Sequence, residues 1–170
     1  MKTRHIVVLP YDPQWKAAFE AIRQEIEAAV GDLLLSVEHV GSTAVEGLSA
    51  KPIIDLDVVI AAASDLPEVI ERLASIGYEH EGDLGINGRE AFRYDNKPHL
   101  QEHHLYVCPQ NSRELHRHLT FRDYLRTHPE AAAEYGRVKE EAARCYPHDI
   151  QRYMQHKEAC IRRLYEACGL

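Results

Sequence analysis

Two aspartates in one apolar strand, with a Gly-Ser turn a short way ahead of them, are the residues of this chain best suited to chemistry. They lie in the run His39-Val-Gly-Ser-Thr-Ala-Val-Glu-Gly-Leu-Ser-Ala-Lys-Pro-Ile-Ile-Asp-Leu-Asp57. Residues 53–60 are few and rich in Ile and Val, which predicts a buried strand rather than a helix. Side chains alternate along a strand, so Asp55 and Asp57 point the same way with α-carbons roughly 6.6 Å apart. Two carboxylates in so apolar a strand repel one another and lose solvation unless a cation or a proton lies between them. A divalent ion, Mg²⁺ or Mn²⁺, with phosphate oxygens completing its shell would satisfy both. Asp55 and Asp57 are therefore the candidate metal ligands and catalytic carboxylates. Two ions about 4 Å apart could activate an attacking oxygen and neutralise a leaving diphosphate.

The turn supplies the phosphate end. Gly41 has no side chain, so a ligand can approach its backbone closely. Ser42 and Thr43 offer hydroxyls and free N–H groups where a short helix could begin, and such a terminus attracts anions. The plainer role of Gly41 and Ser42 is to turn the chain between strand and helix. Lys51, just before the acidic strand, is a candidate phosphate counter-charge, with an exposed loop lysine as the alternative. Arg93, in a later strand, carries a planar fork that suits phosphate or carboxylate if it faces the pocket, and is otherwise a rim arginine.

A strand, Gly-Ser, a helix and then a strand bearing Asp-x-Asp resembles the nucleotidyltransferase superfamily related to DNA polymerase beta. More closely, His39-Val-Gly-Ser-Thr-Ala-Val-Glu-Gly-Leu and Ala50-Lys-Pro-Ile-Ile-Asp-Leu-Asp resemble the signature of the GrpB-like family, usually placed in that superfamily. Phe121-Arg-Asp-Tyr-Leu-Arg and Glu134-Tyr-Gly-Arg-Val-Lys resemble its helical half, and the resemblance runs from Tyr11 to the last helix. It implies an α+β fold, a small mixed β-sheet flanked by helices with a C-terminal helical bundle. It also implies Mg²⁺-dependent transfer of a nucleotidyl group from a nucleoside triphosphate to a small-molecule hydroxyl, amine or phosphate acceptor. The alternative is a catalytically degenerate module that binds a nucleotide or a coenzyme A-related ligand, since domains resembling this family occur fused to dephospho-coenzyme A kinase. A third reading is a protein-interaction module built on the helical half.

The superfamily normally adds a third acid from a later strand, and that strand here reads Glu102-His-His-Leu-Tyr-Val. Alternation puts Glu102, His104 and Tyr106 on one face. Glu102 is then the candidate for the missing carboxylate, and His104 a candidate metal ligand or proton shuttle. His103 and His104 point to opposite faces, and no H-E-x-x-H or paired-cysteine signature is present, which argues against zinc.

The elements that must position these groups follow from pattern. Asp12 with Pro13 starts a helix, and Trp15, Phe19, Ile22 and Ile26 recur at helical spacing. Residues 6–9 read as a short edge strand and residues 33–40 as the strand that ends at the turn. Asp65-Leu-Pro-Glu68 has capping-box form and opens an amphipathic helix closed by Gly77. Residues 77–108 read as a β-meander, with one strand opening at Tyr78 and others at 91–94 and 104–107. From Ser112 the chain reads as helical: Thr120 with Asp123 resembles a second capping box, Pro129 starts another helix, and Pro147 separates that from the last. Arg122, Arg126, Lys139 and Lys157 are candidates for the far wall of a cleft, with solvated surface as the alternative. The expected division is a nucleotidyltransferase-like core over 1–110 and a helical subdomain over 111–170 packed on it.

Composition sets outer limits. With 170 residues, 45% hydrophobic and 28% charged, the chain has the makings of one globular domain with a proper core. A formal charge of −7 argues against a broad basic groove, and so against a nucleic acid partner. Cys108, Cys145, Cys160 and Cys168 show no C-x-x-C spacing and read as reduced thiols. The start, Met1-Lys-Thr-Arg-His, lacks a long apolar stretch, and no apolar run approaches ~20 residues. The expectation is a cytoplasmic protein with no membrane partner.

Overall fold

The apolar strand forms as Ile54–Ile60 (β2) and lies second in a five-stranded mixed sheet. The computed structural model describes residues 5–170; residues 1–4, read above for a leader, lie outside it. Leu34–Val40 (β1) runs antiparallel to β2 on one side. His103–Pro109 (β5) runs parallel to it on the other. Glu90–Arg93 (β4) and Glu79–Gly82 (β3) continue the sheet antiparallel beyond β5, so the order is β1-β2-β5-β4-β3 and the expected meander is present. A parallel pair needs a long crossover, which is supplied by helix Leu66–Ala74 (α2) and the two outer strands.

Alternation along β2 sorts its residues into two faces. Ile54, Leu56, Val58 and Ile60, with Leu105, Val107 and Phe92, face one way. They pack against Trp15, Phe19, Ile22 and Ile26 of helix Gln14–Val30 (α1) and against Val69 and Leu73 of α2. Asp55, Asp57 and Val59 face the other way, toward helices Arg113–Thr127 (α3), Pro129–Cys145 (α4) and Ile150–Ala167 (α5). There Val59 and Cys108 meet Leu115 and Leu119 of α3. A second apolar cluster joins Val45 and Leu48, from the loop after β1, to Leu125, Ala132, Tyr135, Cys160 and Leu164 of the three C-terminal helices. The carboxylates thus lie between sheet and helices.

Some expected elements differ. Residues 6–9 form no strand: Leu9 makes a single bridge to Ala50, Ile6 N–H goes to the Pro147 carbonyl, and Pro10 offers no N–H to continue a ladder. Thr120 and Asp123 open no helix. They lie inside α3, which starts earlier because the Ser112 side chain accepts the Leu115 N–H and caps it. Asp65 makes no side-chain cap either, since a 3₁₀ turn over Ala63–Asp65 leads directly into α2. Among the described residues no helix is long and apolar enough to cross a membrane.

Ser112 does two jobs. Its hydroxyl also donates to the Gly88 carbonyl at 2.7 Å, tying the start of α3 to the loop between β3 and β4. Ser112→Ala should cost about 1–2 kcal/mol of stability, read as a lower urea midpoint with unchanged slope.

Candidate functional site

The register of the sheet decides what stands beside each acid. Asp55 lies opposite Val40 on β1 and His104 on β5, and Asp57 opposite Glu38 and Tyr106. Asp55 is half-buried, whereas Asp57 is 0% exposed. Each already has an imidazole partner. His104 Nδ1 is 3.0 Å from Asp55 Oδ1, and His118 Nδ1, reaching down from α3, is 2.6 Å from Asp57 Oδ2. The other nitrogen of His118 lies 3.3 Å from Glu114 Oε1. Asp57 Oδ1 is buried with no partner among the described residues.

The ionisation follows from these contacts. Burial pushes the Asp57 carboxyl up from its ordinary value, and the hydrogen bond from His118 works against that. Burial also opposes a charge on His118, but Asp57 and Glu114 outweigh it and the ring's proton affinity rises. The Asp55 hydrogen bond raises that of His104.

The turn after β1 is tied to this pair. Gly41 has φ 74 and ψ −174, a region essentially confined to glycine, and a Cβ there would collide with the Asp55 carboxylate. The helix expected after it is a single 3₁₀ turn, Ser42–Ala44, too short for an appreciable dipole. From behind, His39 stacks on Phe19 at 4.6 Å and its Nε2 meets Thr43 Oγ1 at 2.9 Å. Burial lowers the His39 pKa to about 4, so the ring is neutral. Arg126 donates to the Ala44 carbonyl, and Arg122 to the His39 carbonyl and Glu38. These two arginines fasten α3 to the turn.

Between the turn, β2 and the helices lies a cavity of about 290 Å³. Gly41, Ser42, Thr43, Asp55 and His104 line it on the sheet side. Opposite them, Lys51, Lys139 and Lys157 converge on two tyrosines. Lys139 Nζ is 4.5 Å from the Tyr135 ring centre, while Lys157 at 4.5 Å and Lys51 at 5.2 Å share the Tyr153 ring. The Tyr135 side chain is also hydrogen-bonded to that of Ser42. Among the described residues none of the three lysines is ion-paired, and the buried Lys139 Nζ has no hydrogen bond. Burial, with the like charge of Lys51, lowers Lys157 to about 8. Burial and both neighbouring lysines hold Lys139 well below the ordinary lysine value.

Of the residues singled out in the sequence, Gly41, Ser42, Thr43, Lys51, Asp55, His104, Arg122, Lys139 and Lys157 share this cavity. Arg93 does not. It lies on β4, beyond β5, and pairs with Glu79 at the exposed edge. Glu102 stands one residue ahead of β5, where its carbonyl accepts the Ile54 N–H, and it is absent from the cavity wall. β5 therefore sets His104 and Tyr106, and no third carboxylate, beside the acidic pair. The sequence reading missed His118, Tyr135 and Tyr153. The signal was there: His118 and Arg122 continue the stripe of Leu115 and Leu125, and the lysines stand in the buried rows Tyr135–Lys139–Ala142 and Tyr153–Lys157–Cys160.

Asp55 and Asp57 are the residues that would hold a divalent ion here, through the oxygens their histidines leave free. One oxygen of each aspartate already meets an imidazole, and among the described residues no three His, Cys, Asp or Glu side chains are placed to share an ion.

The turn between β1 and β2, the acids on β2 and the helices set against that face define a nucleotidyltransferase-like fold. The solved GLD-2/RNP-8 complex matches it with a TM-score of 0.62 at 13% identity, over 95% of this chain and 62% of that one. Within that fold the chain belongs to the GrpB family, whose model (GrpB protein) matches residues 5–167. The crystal structure of GrpB from Enterococcus faecalis superposes with a TM-score of 0.83 at 36% identity, covering 95% of this chain and 96% of that one. YqkA of Bacillus subtilis is 31% identical over 163 residues, 96% of this chain, which spans 47% of YqkA's length. A dephospho-CoA kinase of Mycolicibacterium paratuberculosis is 30% identical over 181 residues, with 93% of this chain matching 44% of that protein.

Two substitutions probe the cavity. Gly41→Ala should destabilise the fold by about 1–3 kcal/mol or more, since strain and collision act together. Lys139→Met should instead raise stability by about 1–3 kcal/mol, because it removes a buried donor without a partner. Urea titration of each variant reads both signs.

Proposed function

We propose that this cleft binds the phosphate tail of a nucleoside triphosphate. The observation that carries the reading is the convergence of Lys51, Lys139 and Lys157, without carboxylate partners among the described residues, on a cavity whose other wall is the Gly41-Ser42 turn. Unpaired buried ammonium groups are costly, and a polyanion removes that cost. The tail would lie against the Gly41 backbone and the Ser42 hydroxyl, with the lysines neutralising its oxygens. The nucleotidyltransferase-like fold and the match to part of a dephospho-CoA kinase both favour ligands that carry a di- or triphosphate.

The second reading is transfer of the nucleotidyl group to a small hydroxyl, amine or phosphate acceptor, assisted by Mg²⁺ or Mn²⁺ at Asp55 and Asp57. What favours it is Asp57 Oδ1, a buried carboxylate oxygen without a donor. What weighs against it is the missing third acid on β5.

A thermal-shift series with ATP, GTP, CTP, UTP and tripolyphosphate tests the binding step, since a ligand specific to the folded state raises its melting temperature. Wild type should shift, and Lys139→Met with Lys157→Met should not; a flat wild-type series would sink the reading. Diphosphate release with an acceptor library then decides between binding and transfer. The pH dependence has a defined sign. Lys157 sheds its proton near 8 in the folded chain and near 10.5 when unfolded, so the empty protein gains stability as pH rises through that window. Binding of a polyanion recharges the Lys157 amine, which takes up a proton from solution, so affinity should fall by up to about tenfold per pH unit as pH rises there. Calorimetry at stepped pH reads both trends.

A further inference from the structure

The run that carries the Gly-Ser turn opens on a histidine that does not line the cavity. His39 lies on β1 opposite Leu56, so its side chain goes to the α1 face of the sheet and not to the face of the aspartates. It is 8% exposed and stacks on Phe19, with ring centres 4.6 Å apart and planes 7° apart. An apolar ring would serve that packing better, because a buried polar group costs folding energy unless it is hydrogen-bonded. What the imidazole adds is the contact of Nε2 with Thr43 Oγ1 at 2.9 Å. Burial keeps the ring neutral, with its pKa at about 4, so one nitrogen is a donor and the other an acceptor. Thr43 stands between that ring and the cavity. It is 2% exposed, lies in the 3₁₀ turn after Gly41, and lines the wall that the tail would meet. A threonine hydroxyl has one hydrogen and two lone pairs. Were that hydrogen given to Nε2, only lone pairs would face a phosphate oxygen, and the two would repel. When Nε2 gives its hydrogen instead, the hydroxyl hydrogen is left for the cavity. The arrangement is held in place by Phe19 against the ring, by Arg122 on the His39 carbonyl and by Arg126 on the Ala44 carbonyl.

Resting on the reading of the cleft as a tail site, we infer that Thr43 is a ligand donor of that site and His39 its positioning residue. His39 donates Nε2–H to Thr43 Oγ1, and the Thr43 hydroxyl donates to a phosphate oxygen of the tail. The strand side then offers the anion a neutral donor aimed from the core, opposite the lysines. His39 acts only through Thr43 and brings no charge to the ligand.

The test is calorimetric titration of the full chain with inorganic tripolyphosphate. Thr43→Val and His39→Phe should each weaken binding by about tenfold, the loss of a hydrogen bond to a charged group. The double variant should bind no more weakly than either single one, since the two side chains make one contact. His39→Gln, whose side-chain N–H can reach the same hydroxyl, should bind within about twofold of wild type. Wild-type affinity in His39→Phe or Thr43→Val, or losses that add, would overturn the inference while leaving the tail site standing. A wild-type chain that binds no tripolyphosphate would overturn both. Long-range ¹H–¹⁵N spectra of the wild-type imidazoles with tripolyphosphate bound give a readout that needs no variant. They should show the hydrogen of His39 on Nε2, and a hydrogen on Nδ1 would refute the inference even if His39→Phe failed to fold.

Discussion

The period-two alternation of β2 is the constraint on which this molecule depends. Ile54, Leu56, Val58 and Ile60 must lie against α1 and α2, so Asp55 and Asp57 have no choice of face. Asp57 is then sealed from water, and a sealed carboxyl group needs a hydrogen-bond partner. His118 supplies it from α3, which in turn fixes where the helical half must dock. Packing and electrostatics therefore point to one arrangement: moving α3 by a turn would strand Asp57 and unpair Arg122 from Glu38.

The same interface holds charges that stability alone would not keep. Lys139 and Lys157 occupy rows otherwise filled by Tyr, Ala, Cys and Leu, and their ammonium groups rest on aromatic faces rather than on carboxylates. Cation–π contact offsets only part of the lost hydration. Groups that cost folding energy and share a cavity with a glycine turn are a physical mark of a ligand site. The unpartnered cationic side chains are concentrated on the helical side, while on the strand side each aspartate has an imidazole against one oxygen.

Much of this was legible in the sequence, for identifiable reasons. Strand alternation is strict, so the shared face of Asp55 and Asp57 and the opposed faces of His103 and His104 followed from spacing alone. Gly41 was expected to leave room for a ligand against its backbone; that a Cβ there would meet the Asp55 side chain could not be read from the spacing. Helical charges were harder. A lysine in a stripe is normally solvated, and only the docking of α4 and α5 on the turn reveals that Lys139 and Lys157 are enclosed. Arg93 shows the converse: its strand was recognised, but the order β5-β4-β3, which sets it two strands away from the acids, depends on pairings between distant segments. Thr120 and Asp123 matched a local capping pattern that lost to Ser112, whose hydroxyl already served the same helix eight residues earlier.

Tyr153 links the two ends of this arrangement. Its single ring seats ammonium groups from residue 51, just ahead of the acidic strand, and residue 157, in the final helix. The aromatic face makes the last helix a structural part of the cavity wall although it contributes nothing to the sheet. A polypeptide shortened before α5 would retain the aspartates and the glycine bend yet lose the platform on which the opposing charges are gathered.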